Sequence, residues 1–222
     1  DMIEQKNLVV AVTSEGFVFS KEVDMVREGS RGNKGQLFVD SKRGRSIEKS
    51  VTLDSHDELW VFSEDGKMYK ANAFEFDVNN VHVSNIIKNF GDRTICDFIP
   101  IKPDDEGDLI FVTSSSLTKR VPLSEFRTRN MPTDGLIAAQ LQDEERLIGV
   151  VYSKNPEKEV IVISTSRGYS SKIIVGNLAV QKRPSMGRRM IRIKDKEECV
   201  SLVSCDLDKE DITSILFITT KG

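Results

Sequence analysis

The chain has 222 residues, 38% of them hydrophobic and 30% charged, with 32 Lys and Arg against 35 Asp and Glu and a formal net charge of −3. That is enough apolar content for one cored domain, no run approaches the roughly 20 apolar residues of a membrane span, and no signal peptide opens the chain, so a cytoplasmic, water-soluble protein is expected. A uniformly basic nucleic-acid binder is excluded, whereas a basic stripe on an acidic body is not. Asp at position 1 points to a piece of a longer protein.

The chain repeats itself with a period of fifty-odd residues. Apolar, β-branched runs recur at 8–12 (Leu-Val-Val-Ala-Val), 59–62, 109–112, 160–163 and 215–218. Each reads as a strand, followed by Ser or Thr and a turn closing at Gly16, Gly66, Ser116, Gly168 or Gly222, in steps of 50, 50, 52 and 54 residues. Gly at four of these five positions suits a hairpin residue of positive φ, where it escapes the Cβ clash. A second strand carrying cations follows each internal turn, at 17–21, 67–70, 117–120 and 169–172. Then come a short connector, a polar loop, a third apolar run (135–139 or 190–193) and a closing strand (147–152 or 200–204). Four strands per repeat without helical periodicity predict an all-β, propeller-like domain of four-stranded blades. Four complete repeats fall near 8–55, 57–104, 108–156 and 159–206, and 212–222 supplies a partial fifth or a ring-closing strand. A lone blade cannot bury both faces, so neighbours must supply the core.

Catalytic chemistry is poorly represented. Cys96, Cys199 and Cys205 are too few and irregular for a disulfide framework or a zinc site and read as reduced, half-buried side chains. His56 and His82 have no metal-ligand or triad spacing and read as surface residues. Tyr69, Tyr152 and Tyr169 sit in strand patterns without an adjacent Arg and read as packing residues. No phosphate-binding loop is present. The chain is therefore expected not to be an enzyme by itself.

Charge separates along three of the four repeats. Residues 167–194 hold Arg167, Lys172, Lys182, Arg183, Arg188, Arg189, Arg192 and Lys194 and no acid, whereas 195–211 carry seven acids against Lys196 and Lys209. Residues 27–45 hold six cations against Glu28 and Asp40; the second repeat is the exception, its cations thinly spread. Superimposed around a ring, the cation-rich segments should form one outer band, which suits a curved phosphate backbone and largely sequence-independent binding.

The stretch Leu109-Ile-Phe-Val-Thr-Ser-Ser-Ser-Leu-Thr-Lys-Arg-Val-Pro-Leu-Ser-Glu-Phe126, and the opening from Ile3 to Val18, resemble the C-terminal domain that the gyrase A subunit shares with its topoisomerase IV counterpart, ParC. The likeness covers nearly the whole chain. It implies a β-pinwheel, with strands exchanged between neighbouring blades, that bends or wraps duplex DNA without catalysing anything itself. Implied partners are double-stranded DNA, the remainder of the A subunit, plus the ATPase B-type subunit of an A2B2 holoenzyme in the bacterial cytoplasm, associated with the nucleoid. The implied cofactors, Mg2+ and ATP, serve the holoenzyme elsewhere, with none in this chain.

The family's basic box, Gln-Arg-Arg-Gly-Gly-Lys-Gly, corresponds to Gly29-Ser-Arg-Gly-Asn-Lys-Gly35: Arg31, Gly32, Lys34 and Gly35 match and the other three depart. Glycines beside cations permit a tight loop close to phosphate. A weaker echo is Arg183-Pro-Ser-Met-Gly-Arg-Arg189. The departures favour topoisomerase IV-type bending over gyrase-type full wrapping. The expected DNA-contacting residues are Arg31, Lys34, Arg43, Arg45, Lys119, Arg120, Arg127, Arg129, Arg167, Lys172, Arg183, Arg188 and Arg189. The competing expectation, supported by the acidic pI, is a propeller-like protein-interaction scaffold without nucleic-acid binding.

Overall fold

The computed structural model describes residues 4–26, 38–39 and 46–207. The first repeat supplies β1 (Asn7–Thr13), β2 (Phe17–Glu22) and β3 (Ile47–Asp54). The second supplies β4 (Glu58–Ser63), β5 (Lys67–Asn72), β6 (Asn79–His82) and β7 (Ile95–Ile101). The third supplies β8 (Asp108–Thr113), β9 (Leu117–Pro122), β10 (Leu136–Ile137) and β11 (Leu147–Ser153). The fourth supplies β12 (Glu159–Thr165), β13 (Ser170–Ile174), β14 (Arg188–Arg189) and β15 (Cys199–Asp206). Helical structure among the described residues is confined to 3-10 turns such as Leu123–Phe126, and no helix is long and apolar enough to cross a membrane.

Local chemistry builds each hairpin. The amide at the turn's end donates to the carbonyl three residues back: Gly16 to Thr13, Gly66 to Ser63, Ser116 to Thr113 and Gly168 to Thr165, each at 2.9 Å. The donor residue then takes positive φ, the arrangement of a type I turn followed by a left-handed residue. Ser116 does so at φ 67° without being glycine. Its hydroxyl donates to the Ile191 carbonyl at 2.7 Å and lies 3.3 Å from the Ile191 amide, which offsets the strain. The Thr hydroxyl caps the turn, accepting from the amide that follows the turn's end: Phe17 on Thr13, Leu117 on Thr113 and Tyr169 on Thr165.

The sheets do not follow the sequence repeats. Their orders are β3-β1-β2-β6, β10-β5-β4-β7, β11-β8-β9-β14 and β13-β12-β15. The short third strand of repeats two, three and four leaves its own repeat and pairs antiparallel with the second strand of the preceding one, as His82 with Phe17, Leu136 with Met68 and Arg188 with Thr118. This is the strand exchange of a β-pinwheel. The pinwheel that the resemblance implies is thus the architecture found, and exchanged strands of two to four residues are placed by their tertiary neighbours and not by their own propensity. The fourth sheet has three strands among the described residues, and the expected fifth element at 212–222 lies outside them.

Three apolar clusters fill the seams between consecutive sheets. The first two sheets share Val10, Val12, Val61, Tyr69 and Phe98. The second and third share Trp60, Phe62, Phe111 and Phe126, with Phe62 and Phe111 edge to face at 5.6 Å. The third and fourth share Ile110, Val112, Ile161 and Ile163. Each fully buried side chain of this size contributes roughly 1.5–3 kcal/mol. The closing strands β3, β7, β11 and β15 pack in series. Gly149 permits the last of these approaches, since a Cβ there would lie 2.9 Å from Leu202 Cβ. Asp97 on β7 ties the first three together, with Lys49 Nζ at 3.4 Å and the Val150 amide at 3.2 Å, and burial raises its carboxyl pKa.

Several side-chain expectations are corrected. Cys96 and Cys199 are fully buried rather than half-buried. Tyr69 is core and Tyr152 packs against the core, but Tyr169 is 58% exposed at the turn before β13. His82 is half-buried edge-on to Phe17, while His56 is exposed.

Candidate nucleic-acid interface

The closing-strand edge of the third sheet faces its neighbours, so the exchanged strand β14 forms the opposite, outer edge. The chain reaches it along a continuous track. The Gln181 amide donates to the Arg120 carbonyl at 2.8 Å, Arg188 and Arg189 pair with Thr118 and Leu117, and the Met190 amide donates to the Ser116 carbonyl at 3.2 Å. Residues 180–191 of the fourth repeat therefore edge the third sheet, and they carry Lys182, Arg183, Arg188 and Arg189. Arg188, Arg189, Lys182 and the following Arg192 are exposed or partly so. Arg183 also lies on this track, and its guanidinium donates to the Ile137 carbonyl of β10, so the track touches the outer strand of the second sheet.

None of the eight cations between 167 and 194 forms an ion pair among the described residues; Arg167 only reaches the Asp195 carbonyl at 3.4 Å. Lys172 illustrates why. At the corresponding strand position Lys70 pairs with Glu58 at 3.1 Å and Arg120 with Asp108 at 2.7 Å, but Val160 replaces the acid beside Lys172. Lys172 is left without an acid partner among the described residues.

Two expected contacts are corrected. Lys119 is only 3% exposed and does not line any outer edge. Its ammonium donates to the carbonyls of Ala138 at 2.7 Å, Ser185 at 3.1 Å and Arg183, above the Phe111 ring. Arg120 is neutralised by Asp108, the two side chains 14% and 11% exposed. Adjacent strand residues point to opposite faces, and here Lys119 lies over the Phe111 ring while Arg120 turns the other way to Asp108. Arg127 is exposed but its guanidinium donates to the carbonyls of Lys102 and Asp105, at 3.1 and 2.6 Å, which clamps that loop. Arg129 is exposed in the loop leading to β10. Arg31, Lys34, Arg43 and Arg45 lie outside the described residues. Lys182 and Arg192 are missing from the expected contacts, although both belong to the acid-free run that signals this surface.

Among the described residues no three His, Cys, Asp or Glu side chains converge as a metal site. What the arrangement offers is an outer strand and loop with several uncompensated cations, suited to a polyanion at its edge.

Known proteins resemble the chain in both sequence and structure. It is 26% identical to the DNA gyrase A subunit of Dehalogenimonas lykanthroporepellens over 209 residues, covering 91% of this chain, and 24% identical to that of Staphylococcus epidermidis over 229 residues, covering all of it. It spans about a quarter of the length of each (25%). A solved gyrase A C-terminal domain superposes with a TM-score of 0.72 at 21% identity, covering 90% of this chain and 65% of that one. The C-terminal domain of DNA topoisomerase IV superposes with a TM-score of 0.68 at 18% identity, covering 92% and 62%. The family model described as the DNA gyrase C-terminal domain, beta-propeller, matches residues 7–40, 107–154 and 159–206, together more than half of the chain. On that match, with the exchanged-strand sheets behind it, the chain belongs to the DNA gyrase C-terminal domain family of β-propellers.

Proposed function

We propose that this domain binds duplex DNA along its outer edge and bends it, presenting a segment for ATP-dependent strand passage by a type II topoisomerase whose catalytic residues, Mg2+ and ATP lie elsewhere. The observation that carries this reading is the uncompensated cation track of residues 180–192 on the outer edge of the third sheet. The named relatives favour as parent a gyrase-type A subunit, partnered by an ATPase B-type subunit, in the bacterial cytoplasm. For the mode of binding we infer bending without a complete wrapped turn, as expected of the topoisomerase IV type. What supports this is that, among the described residues, the outer strand of the first sheet, Asn79–His82, carries no Lys or Arg.

The test is binding to random-sequence duplex at a low and a high salt concentration. Contacts to several phosphates make log affinity fall steeply with log salt, by about 0.9 per phosphate neutralised. A protein-interaction scaffold would show no such binding, and affinity confined to one sequence would indicate base-edge reading instead.

A further inference from the structure

Lys119 is a buried cation without a carboxylate partner among the described residues, an arrangement that ordinarily costs stability. What it has instead is three carbonyls for its three N–H donors, drawn from two different segments: Ala138, just past β10, and Arg183 and Ser185 of the incoming loop. That loop is fixed on either side of these contacts by the Gln181 amide on the Arg120 carbonyl and by Gly187 (φ 94°), whose absent Cβ would lie 2.9 Å from the Thr118 carbonyl. Ser185 Oγ braces it from inside, 2.7 Å from both Gln181 Oε1 and the Lys182 carbonyl.

The same strand position does a similar thing one sheet earlier. Tyr69 occupies it on β5, and its hydroxyl reaches the Asp134 carbonyl at 3.3 Å, in the loop that delivers β10. In both sheets this residue holds the exchanged segment as it arrives; in the third it does so with a charge.

We propose that Lys119 is a positioning residue for the DNA-binding edge, its buried ammonium fixing loop 181–187 and through it the placement of Lys182, Arg183, Arg188 and Arg189. This rests on the DNA-bending reading above. A consequence is that the placement responds to pH. Burial lowers the Lys119 pKa to about 8, with the Arg183 guanidinium pushing the same way. The other groups facing it are the Phe111 ring and the Ala138 and Ser185 carbonyls. On losing its proton the amine has two donors for three carbonyls, so one is released. The two consequences have opposite signs. A lysine whose folded pKa lies below its ordinary 10.5 adds stability as pH rises from about 8 towards 10.5, because the unfolded chain binds the proton more tightly there. Loop placement, and with it duplex affinity, declines through pH 8. A side chain serving packing alone would give the first effect without the second.

The experiment follows the amide NMR signals of Ser185, Met186 and Gly187, and affinity for random-sequence duplex, from about pH 6.5 to about 9.5 in the 222-residue chain. The loop signals should move with a midpoint near 8, and duplex affinity should fall about tenfold through the same step. Lys119→Met should abolish the step and hold affinity at its low plateau, and Lys119→Arg should restore affinity without a pH step. Loop signals unmoved across the whole range, or a Lys119→Met chain with wild-type loop signals and affinity, would overturn the proposal. The wild-type titration needs no variant, so a misfolded substitution cannot leave the matter open. If the wild-type chain binds no duplex at any pH, the DNA reading falls and the NMR step alone decides whether Lys119 anchors the loop.

Discussion

The second and fourth repeats build the same hairpin and donate a strand in the same way, yet they use charge in opposite ways. In the second, Lys70 pairs with Glu58, Lys67 with Asp134, and Arg93 with both Asp65 and Asp134. In the fourth, the cations from Arg167 to Lys194 have no ion-pair partner among the described residues. Polarity is even reversed at one equivalent position. Two residues before the closing strand stands Arg93 in the second repeat, bound to the turn's Asp65, whereas Glu197 stands there in the fourth and accepts from the Thr165 hydroxyl at 2.6 Å. The scaffold tolerates either sign because each makes its own closed contact. What distinguishes the repeats is therefore the charge left over after internal pairing as well as the number of cations. The family model matches the first, third and fourth repeats but not the second.

The most severe way to break this comparison is charge reversal in the fourth repeat. Arg188→Glu with Arg189→Glu should weaken binding to any duplex sequence on the order of a hundredfold and flatten the salt slope by about two units, with thermal stability little changed because both side chains are exposed. A fluorescence-anisotropy titration across salt concentrations measures it, and an unchanged slope would sink the assignment of this edge. The converse substitution is Arg93→Ala in the second repeat. It should leave duplex affinity within about twofold but cost about 1–2 kcal/mol in chemical denaturation, since it deprives Asp65, Asp134 and the carbonyls of Asn89 and Phe90 of a donor. A loss of duplex affinity without a loss of stability would mean that the second repeat also contributes to the interface. The smallest effect concerns Asp97 at the seam. Its raised folded pKa means that the folded chain binds the proton more tightly than the unfolded one, so this group adds stability as pH falls through its folded value towards the ordinary carboxylate range. Denaturation of wild type and Asp97→Asn as a function of pH should show that increment only in the wild type.

Much of the architecture is legible in the sequence because it is local. The Ser/Thr-to-Gly turns and the apolar runs specify hairpins within a dozen residues, and their spacing announces the repeat. The exchange is not legible from the residues themselves, since Leu136–Ile137 and Arg188–Arg189 are too short to carry a pattern and find their partners only in the assembled molecule. Lys119 is misplaced by its adjacency to Arg120, although a signal is present: alternation puts it on the face of Val121, a core position. The Arg120–Asp108 pair requires the cross-strand register, which a count of charges does not contain. The exposed Arg188 and Arg189 lie in the acid-free run that first draws attention.

Strand exchange also separates where an edge is encoded from where it is displayed. Each donated strand decorates the body of the repeat before it, so a recombination event that excised residues 108–156 would remove the host of β14 together with β10. The fourth repeat would then offer Arg188 and Arg189 to β5. The rim is in this sense heritable apart from the blade it adorns, and a lineage can re-dress one body by altering the next repeat along without touching the packing beneath.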